Sequence, residues 1–185
     1  MRLIVSLLLP VFLTAVAPAG AQTLVLGETK AGACYRHALA QRGDHRALAD
    51  CDEALDDTLV LRRDRAATHV NRGIVLMHSG EEEAALAAFD EAEATGRIDP
   101  QTLALNRSSA LIRLGRAGEA LAQTAIVIDA GQDKIAEAWF NRGVALEMLG
   151  DVSGAYEAFS QAASHRPDWP MVQRELARFT VVSGS

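Results

Sequence analysis

Apolar and small residues recur along this chain at helical spacing, in bursts separated by glycine. Trp139, Gly143 and Leu146 stand at i, i+4 and i+7, which places them on one helix face. Gly150 and Asp151 interrupt that period, and Ala155, Phe159 and Ala162 repeat it, predicting a second helix. Pro167 closes the unit, because it lacks a backbone donor and biases the residue before it away from helix. Two short amphipathic helices joined by a tight turn cannot bury their apolar faces alone, so the unit requires neighbours.

The neighbours are visible upstream. Asn71-Arg72-Gly73, Asn106-Arg107-Ser108 and Asn141-Arg142-Gly143 recur at a constant step of about 35 residues. Each triplet is followed by a glycine (Gly80, Gly115, Gly150) and then a small residue (Ala85, Ala120, Ala155). The pattern defines three units, 66–100, 101–135 and 136–169. Within the first two it predicts helices over 65–79, 82–95, 100–114 and 117–130. The middle unit is the poorest, with Thr124 where its neighbours have Phe89 and Phe159, and Val127 where they have Ala92 and Ala162. Glu81, Glu82 and Glu83 open one second helix, where carboxylates favour the positive end of the macrodipole.

The arrangement resembles the tetratricopeptide repeat, a helix–turn–helix unit with a period near 34 residues. The resemblance implies an all-α fold, a right-handed superhelical solenoid of antiparallel helix pairs whose first helices line a concave groove. In some members of that family an asparagine at this place faces the groove and binds the backbone of an extended peptide.

Residues 31–62 read as a degenerate first pair, with helices over 31–41 and 46–61. When its turn residue Gly43 is aligned with Gly80, Arg36 falls where Gly73 stands and the second helix is one residue out of register. The only cysteines, Cys34 and Cys51, lie here, almost equidistant from Gly43. Equidistant residues of a helix hairpin come level, so a disulfide is expected in an oxidising compartment, contributing about 3 kcal/mol. Without a CxxC spacing or a nearby histidine pair, a redox switch or metal site has little support. After the last repeat, Pro170 starts a capping helix over 170–182, whose Gln173, Arg174 and Arg178 suit a solvated outer face.

The first residues carry different information. Met1 and Arg2, an apolar run from Leu3 to Val16, and small residues at Ala19 and Ala21 form a secretory signal pattern over 1–21, with cleavage after Ala21. An extended leader over 22–30 follows. The expected location is the bacterial periplasm or the exterior. The run is short for a membrane span, and with no later long apolar run the mature chain is not expected to insert in a membrane. The formal net charge of −6 comes without a Lys/Arg stripe, which leaves no basis for nucleic-acid binding.

Catalytic chemistry finds little support. His37, His45, His69, His78 and His165 are scattered without ligand spacing, and the chain lacks a phosphate loop and a GxSxG turn. No catalytic residue, metal or cofactor is assigned. The candidate binding residues are Asn71, Asn106 and Asn141, whose amides can both donate to and accept from a peptide group. Two readings stand open for them: contact with a peptide, or bonds between neighbouring helices that fix stacking. Around them the predicted groove-facing residues are Val70, Ile74 and Met77; Leu105 and Ile112; Phe140, Val144 and Met148. Arg72, Arg107 and Arg142 are expected to pack their stems and pair with carboxylates of the partner helix, leaving Arg113 as the arginine to test as a ligand contact. With no lysine cluster, the carboxylate clamp of family members that bind acidic C-termini is not expected. The resulting expectation is a non-catalytic scaffold that holds an extended peptide or partner protein. The alternatives are a cell-envelope component docking through its outer face or ends and, last, an enzyme or redox protein.

Overall fold

The structure is a computed structural model that describes residues 29–58, 62–131 and 134–179. The expected signal sequence, the leader up to residue 28 and the end of the capping segment lie outside the described residues. Within them the chain runs through Lys30–Leu39 (α1), His45–Asp56 (α2), Arg62–Ser79 (α3), Glu82–Ala94 (α4), Pro100–Arg113 (α5), Ala117–Ala130 (α6), Ile135–Met148 (α7), Val152–His165 (α8) and Pro170–Leu176 (α9).

Helix starts are written into the sequence. Asp44 accepts from the amides of Arg46 and Ala47, Asp99 from Gln101 and Thr102, and Asp151 from Gly154, each satisfying donors that the helix itself cannot. Pro100 and Pro170 take first-turn positions, where a missing donor costs nothing. Two ends differ from the periodicity. The second helix of the first pair stops at Asp56, not near residue 61, and Arg65 explains the stop. Its guanidinium donates to the carbonyl oxygens of Leu55 and Asp57, capturing acceptors orphaned at the helix end. The final helix ends at Leu176, short of the expected position 182.

Each second helix buries the same triplet at i, i+4 and i+7: Ala47/Cys51/Ala54, Ala85/Phe89/Ala92, Ala120/Thr124/Val127 and Ala155/Phe159/Ala162. What faces the central member explains its size. A Cβ on Gly73 would lie 2.3 Å from the Phe89 ring, and one on Gly143 would lie 2.7 Å from the Phe159 ring. Only glycine leaves room for phenylalanine. In the third pair both positions change, to Ser108 and Thr124, and both are fully buried. Volume moves from one helix to the other, so the weak sequence match there is a compensated exchange.

In the first pair Cys51 takes the phenylalanine place and is bonded to Cys34, with Cα atoms 4.7 Å apart. This corrects the alignment of that pair. The left-handed turn residue is Gln41, at φ 54°, which matches Gly80 at φ 83°. The Gln41 and Arg42 amides donate to Ala38 and His37 as those of Gly80 and Glu81 donate to Met77 and Leu76. Cys34, not Arg36, therefore stands in the place of Gly73. Gly43 serves a different end: a Cβ there would lie 2.2 Å from the His78 carbonyl carbon, so the hairpin loop rests directly on the end of α3.

The helices form two layers. First helices α1, α3, α5 and α7 touch one another in series, while α2, α4, α6 and α8 pack chiefly against the first helices of their own and the following pair. Among the described residues the second helices make no such series of contacts with one another, so the first helices form the closer-packed layer. It is the inner face of a helical solenoid.

Candidate peptide-binding groove

With the register corrected, the inner face has well-defined rows. One contains Gly32, Asn71, Asn106 and Asn141; the next Tyr35, Ile74, Ser109 and Val144; a third Leu39, His78, Arg113 and Met148. Three of the four end residues of the last two rows are open to solvent, with Tyr35 55%, Leu39 70% and Met148 46% exposed, while Val144 is half-buried. Tyr35 and Leu39 escape a reading of the sequence that aligns Gly43 with Gly80, because that alignment rotates them off this face.

The asparagines are not equivalent. Asn141 donates through Nδ2 to Ser108 Oγ at 2.8 Å and to Ser109 Oγ at 3.0 Å, across the gap from α7 to α5. Both its amide hydrogens are used, and Oδ1 remains to accept. Asn106 has Gly73 and Ile74 at the corresponding places on α3 and no hydroxyl to meet, so its Nδ2 turns to the Thr102 carbonyl of its own helix at 2.8 Å. Asn71 has Cys34 and Tyr35 at the corresponding places on α1 and makes no side-chain hydrogen bond among the described residues. It is only half-buried.

The apolar set divides as well. Val70 and Met77, at 6% and 7% exposure, belong to the core with Phe89 and Leu103, so the expectation that they face the groove is corrected. The helix rotation that carries Gly73 onto Phe89 carries these two inward. Ile74, Leu105, Ile112 and Val144 are half-buried. Phe140 packs its ring 5.5 Å from Phe159 and 5.1 Å from Trp169, closing the end of the last pair.

Charges on this face are matched. Arg113 Nε donates to Glu82 at 2.7 Å. Glu147 is held by Arg178, and Glu137 by Arg166. Burial, with the Arg113 charge behind it, lowers the pKa of His78 and favours its neutral form. Burial likewise lowers His69, which lies on the outer side of α3.

The repeated arginines sit between pairs. Arg72 reaches Asp52 at 2.6 Å, and Arg107 reaches Asp90 at 2.6 Å and Glu93 at 2.8 Å. Their carboxylates lie on the second helix of the preceding pair, where the sequence reading placed them on the partner helix. Arg142 instead lies over the Trp139 ring, 5.9 Å from its centroid. No group of three or more His, Cys, Asp or Glu side chains among the described residues is placed to hold a metal ion, and no described helix is long and apolar enough to cross a membrane.

The sequence profile of the tetratricopeptide repeat family matches residues 136–169. Comparison with curated protein sequences gives no significant match. Among solved structures, MamA (residues 41 to the end) from Desulfovibrio magneticus RS-1 aligns with 82% of this chain and 84% of its own, at 19% identity and a TM-score of 0.63. The first TPR domain of human RPAP3 aligns over 63% of this chain and 90% of its own, at 19% identity and a TM-score of 0.57. MamA MSR-1 C2 gives a TM-score of 0.58 at 20% identity, over 78% of this chain and 79% of its own. At these identities the likeness is one of fold. Residues 136–169 match the tetratricopeptide repeat, and together with the helix pairs that precede them they form an all-helical solenoid of the tetratricopeptide-repeat fold.

Proposed function

We propose that the protein is a non-catalytic binding scaffold that holds an extended segment of a partner protein in its inner groove, in the bacterial periplasm after export. The observation that carries the groove is Asn71. A half-buried amide with no hydrogen-bond partner among the described residues, in the row next to that of the exposed Tyr35, offers a donor and an acceptor to a passing peptide backbone. Asn141 spends both amide hydrogens within the fold and Asn106 one of its two, so they contribute acceptors and, from Asn106, one further donor. The Cys34–Cys51 disulfide supports the export reading, since such bonds persist in oxidising compartments.

The test is crosslinked capture from an envelope extract by the mature protein and by Asn71→Ala, with circular dichroism to establish that the variant folds. A partner captured by the parent and lost by the folded variant supports the groove, and equal capture by both rejects it. A second reading, docking in an envelope assembly through one end, is favoured by one observation. At the α7–α8 turn Leu149 is 56% and Val152 60% exposed, beyond the cover of the short α9. Val152→Ser with Leu149→Ser separates the two, because it leaves the groove intact.

A further inference from the structure

We infer that the groove selects a neutral extended segment carrying apolar side chains near both ends, and discriminates against acidic tails. This rests on the groove reading above and specifies its ligand. The inner rows hold few charged groups among the described residues, and each has a counter-charge of its own: Arg113 with Glu82, Glu147 with Arg178, Glu137 with Arg166. Lys134, at the rim, reaches Thr102 at 2.8 Å and Asp99 at 3.4 Å. An acidic ligand would find no cation that is not already neutralised, and would leave its own charge poorly solvated.

Apolar surface lies instead at the two ends of the row. Tyr35 and Leu39 stand one turn apart on α1, and Val144 and Met148 one turn apart on α7. Between them lie half-buried Ile74, Ser109, the His78 ring and the Arg113–Glu82 pair, a stretch whose charges are matched. Three helix-to-helix steps of about 8–10 Å separate the ends, and an extended peptide advances about 3.3 Å per residue. The two anchors of a fitting ligand are thus about seven to nine residues apart. Asn71 would fix its backbone next to the first anchor.

The probes are blocked peptides, acetylated and amidated, with leucines at both ends and serine, threonine and glutamine between. A companion peptide of equal length carries glutamates in the middle and a free C-terminus. Binding is read by fluorescence anisotropy on the oxidised protein. The neutral peptide is expected to bind with little change between about 50 and 500 mM salt, and at least about tenfold tighter than its acidic companion. Leu39→Ser and Met148→Ser, both at exposed sites, should each weaken it about tenfold. Glu82→Gln, which frees Arg113, should narrow the gap by tightening the acidic peptide. Acidic binding as tight as neutral and lost on adding salt, yet still dependent on Asn71, overturns the inference and leaves the groove standing. Binding of the neutral peptide that ignores Leu39, Met148 and Asn71, or no binding of either probe, overturns both.

Discussion

At the scale of single residues, the same position does different work in different repeats, and neighbours decide which. Asn141 bridges two serines, whereas Asn71 has no side-chain hydrogen-bond partner among the described residues. Asn141→Ala should therefore cost about 1–2 kcal/mol in denaturant unfolding, while Asn71→Ala should cost little. The opposite order would mean that the bridge is not made in solution. The glycine–phenylalanine contact makes a second prediction. Gly143→Ala gains helix propensity but drives a methyl group into the Phe159 ring, so it should destabilise by about 1–3 kcal/mol. Adding Phe159→Leu should recover part of the loss, as a non-additive double-mutant cycle. The asparagine series was visible in the sequence. Which asparagine is free was not, because it depends on whether a hydroxyl or a glycine stands on the helix next to it.

At the scale of elements, the first pair is held differently from the rest. The disulfide fills the place of a glycine–phenylalanine contact, and Asp50, nearly buried, receives Lys30 Nζ at 2.8 Å and contacts His37 Nε2 at 2.9 Å. Those contacts, the Lys30 hydrogen bond foremost, hold the Asp50 pKa at about 2, below its ordinary 3.8. Since the folded value is the lower one, the stabilisation is complete above the unfolded value and is lost as pH falls from about 4 towards 2. Asp50→Asn should remove that acid dependence from the unfolding of this pair, followed by protease susceptibility around α1. Reducing the disulfide, or replacing both cysteines with alanine, should destabilise the same pair by about 3 kcal/mol and leave α7–α8 protected from hydrogen exchange. Loss of protection throughout would show that the stack unfolds as a single unit. The cysteine pairing could be anticipated from the hairpin even with the turn residue misassigned, because Cys34 lies five residues before the end of α1 and Cys51 six after the start of α2, which brings them nearly level.

At the scale of the whole molecule, the joints between pairs are unlike. The third and fourth pairs meet chiefly through apolar residues, Leu111, Ala117, Ala120 and Ala145 in one cluster and Ala104, Val127 and Ala138 in another. Beside them lie the Asn141–serine bridge and the ion pair Lys134–Asp99, at 3.4 Å. The second and third meet through Leu103 and Ala110 and also through ion pairs from Arg107, Arg113 and Arg116 to carboxylates of α4. Such exposed pairs contribute about 0–1 kcal/mol each and are screened by salt. High salt should therefore raise hydrogen exchange in α5 where it meets α4, with little change in α7. A uniform response would show that the ionic joint adds nothing to the coupling of the stack.

The sequence by itself determined the helix pairs, their step, the tight turns of the last three pairs and the identity of the disulfide partners, because these depend on periodicity and on distance along one chain. Only the tertiary structure decided the rest. It turned Val70 and Met77 into the core, moved the turn of the first pair from Gly43 to Gln41, and thereby brought Tyr35 and Leu39 onto the inner face. It also consumed Asn141 and left Asn71 free. Each of those outcomes depends on how far a helix rotates to fit the volume opposite it, and that volume belongs to residues distant in the sequence.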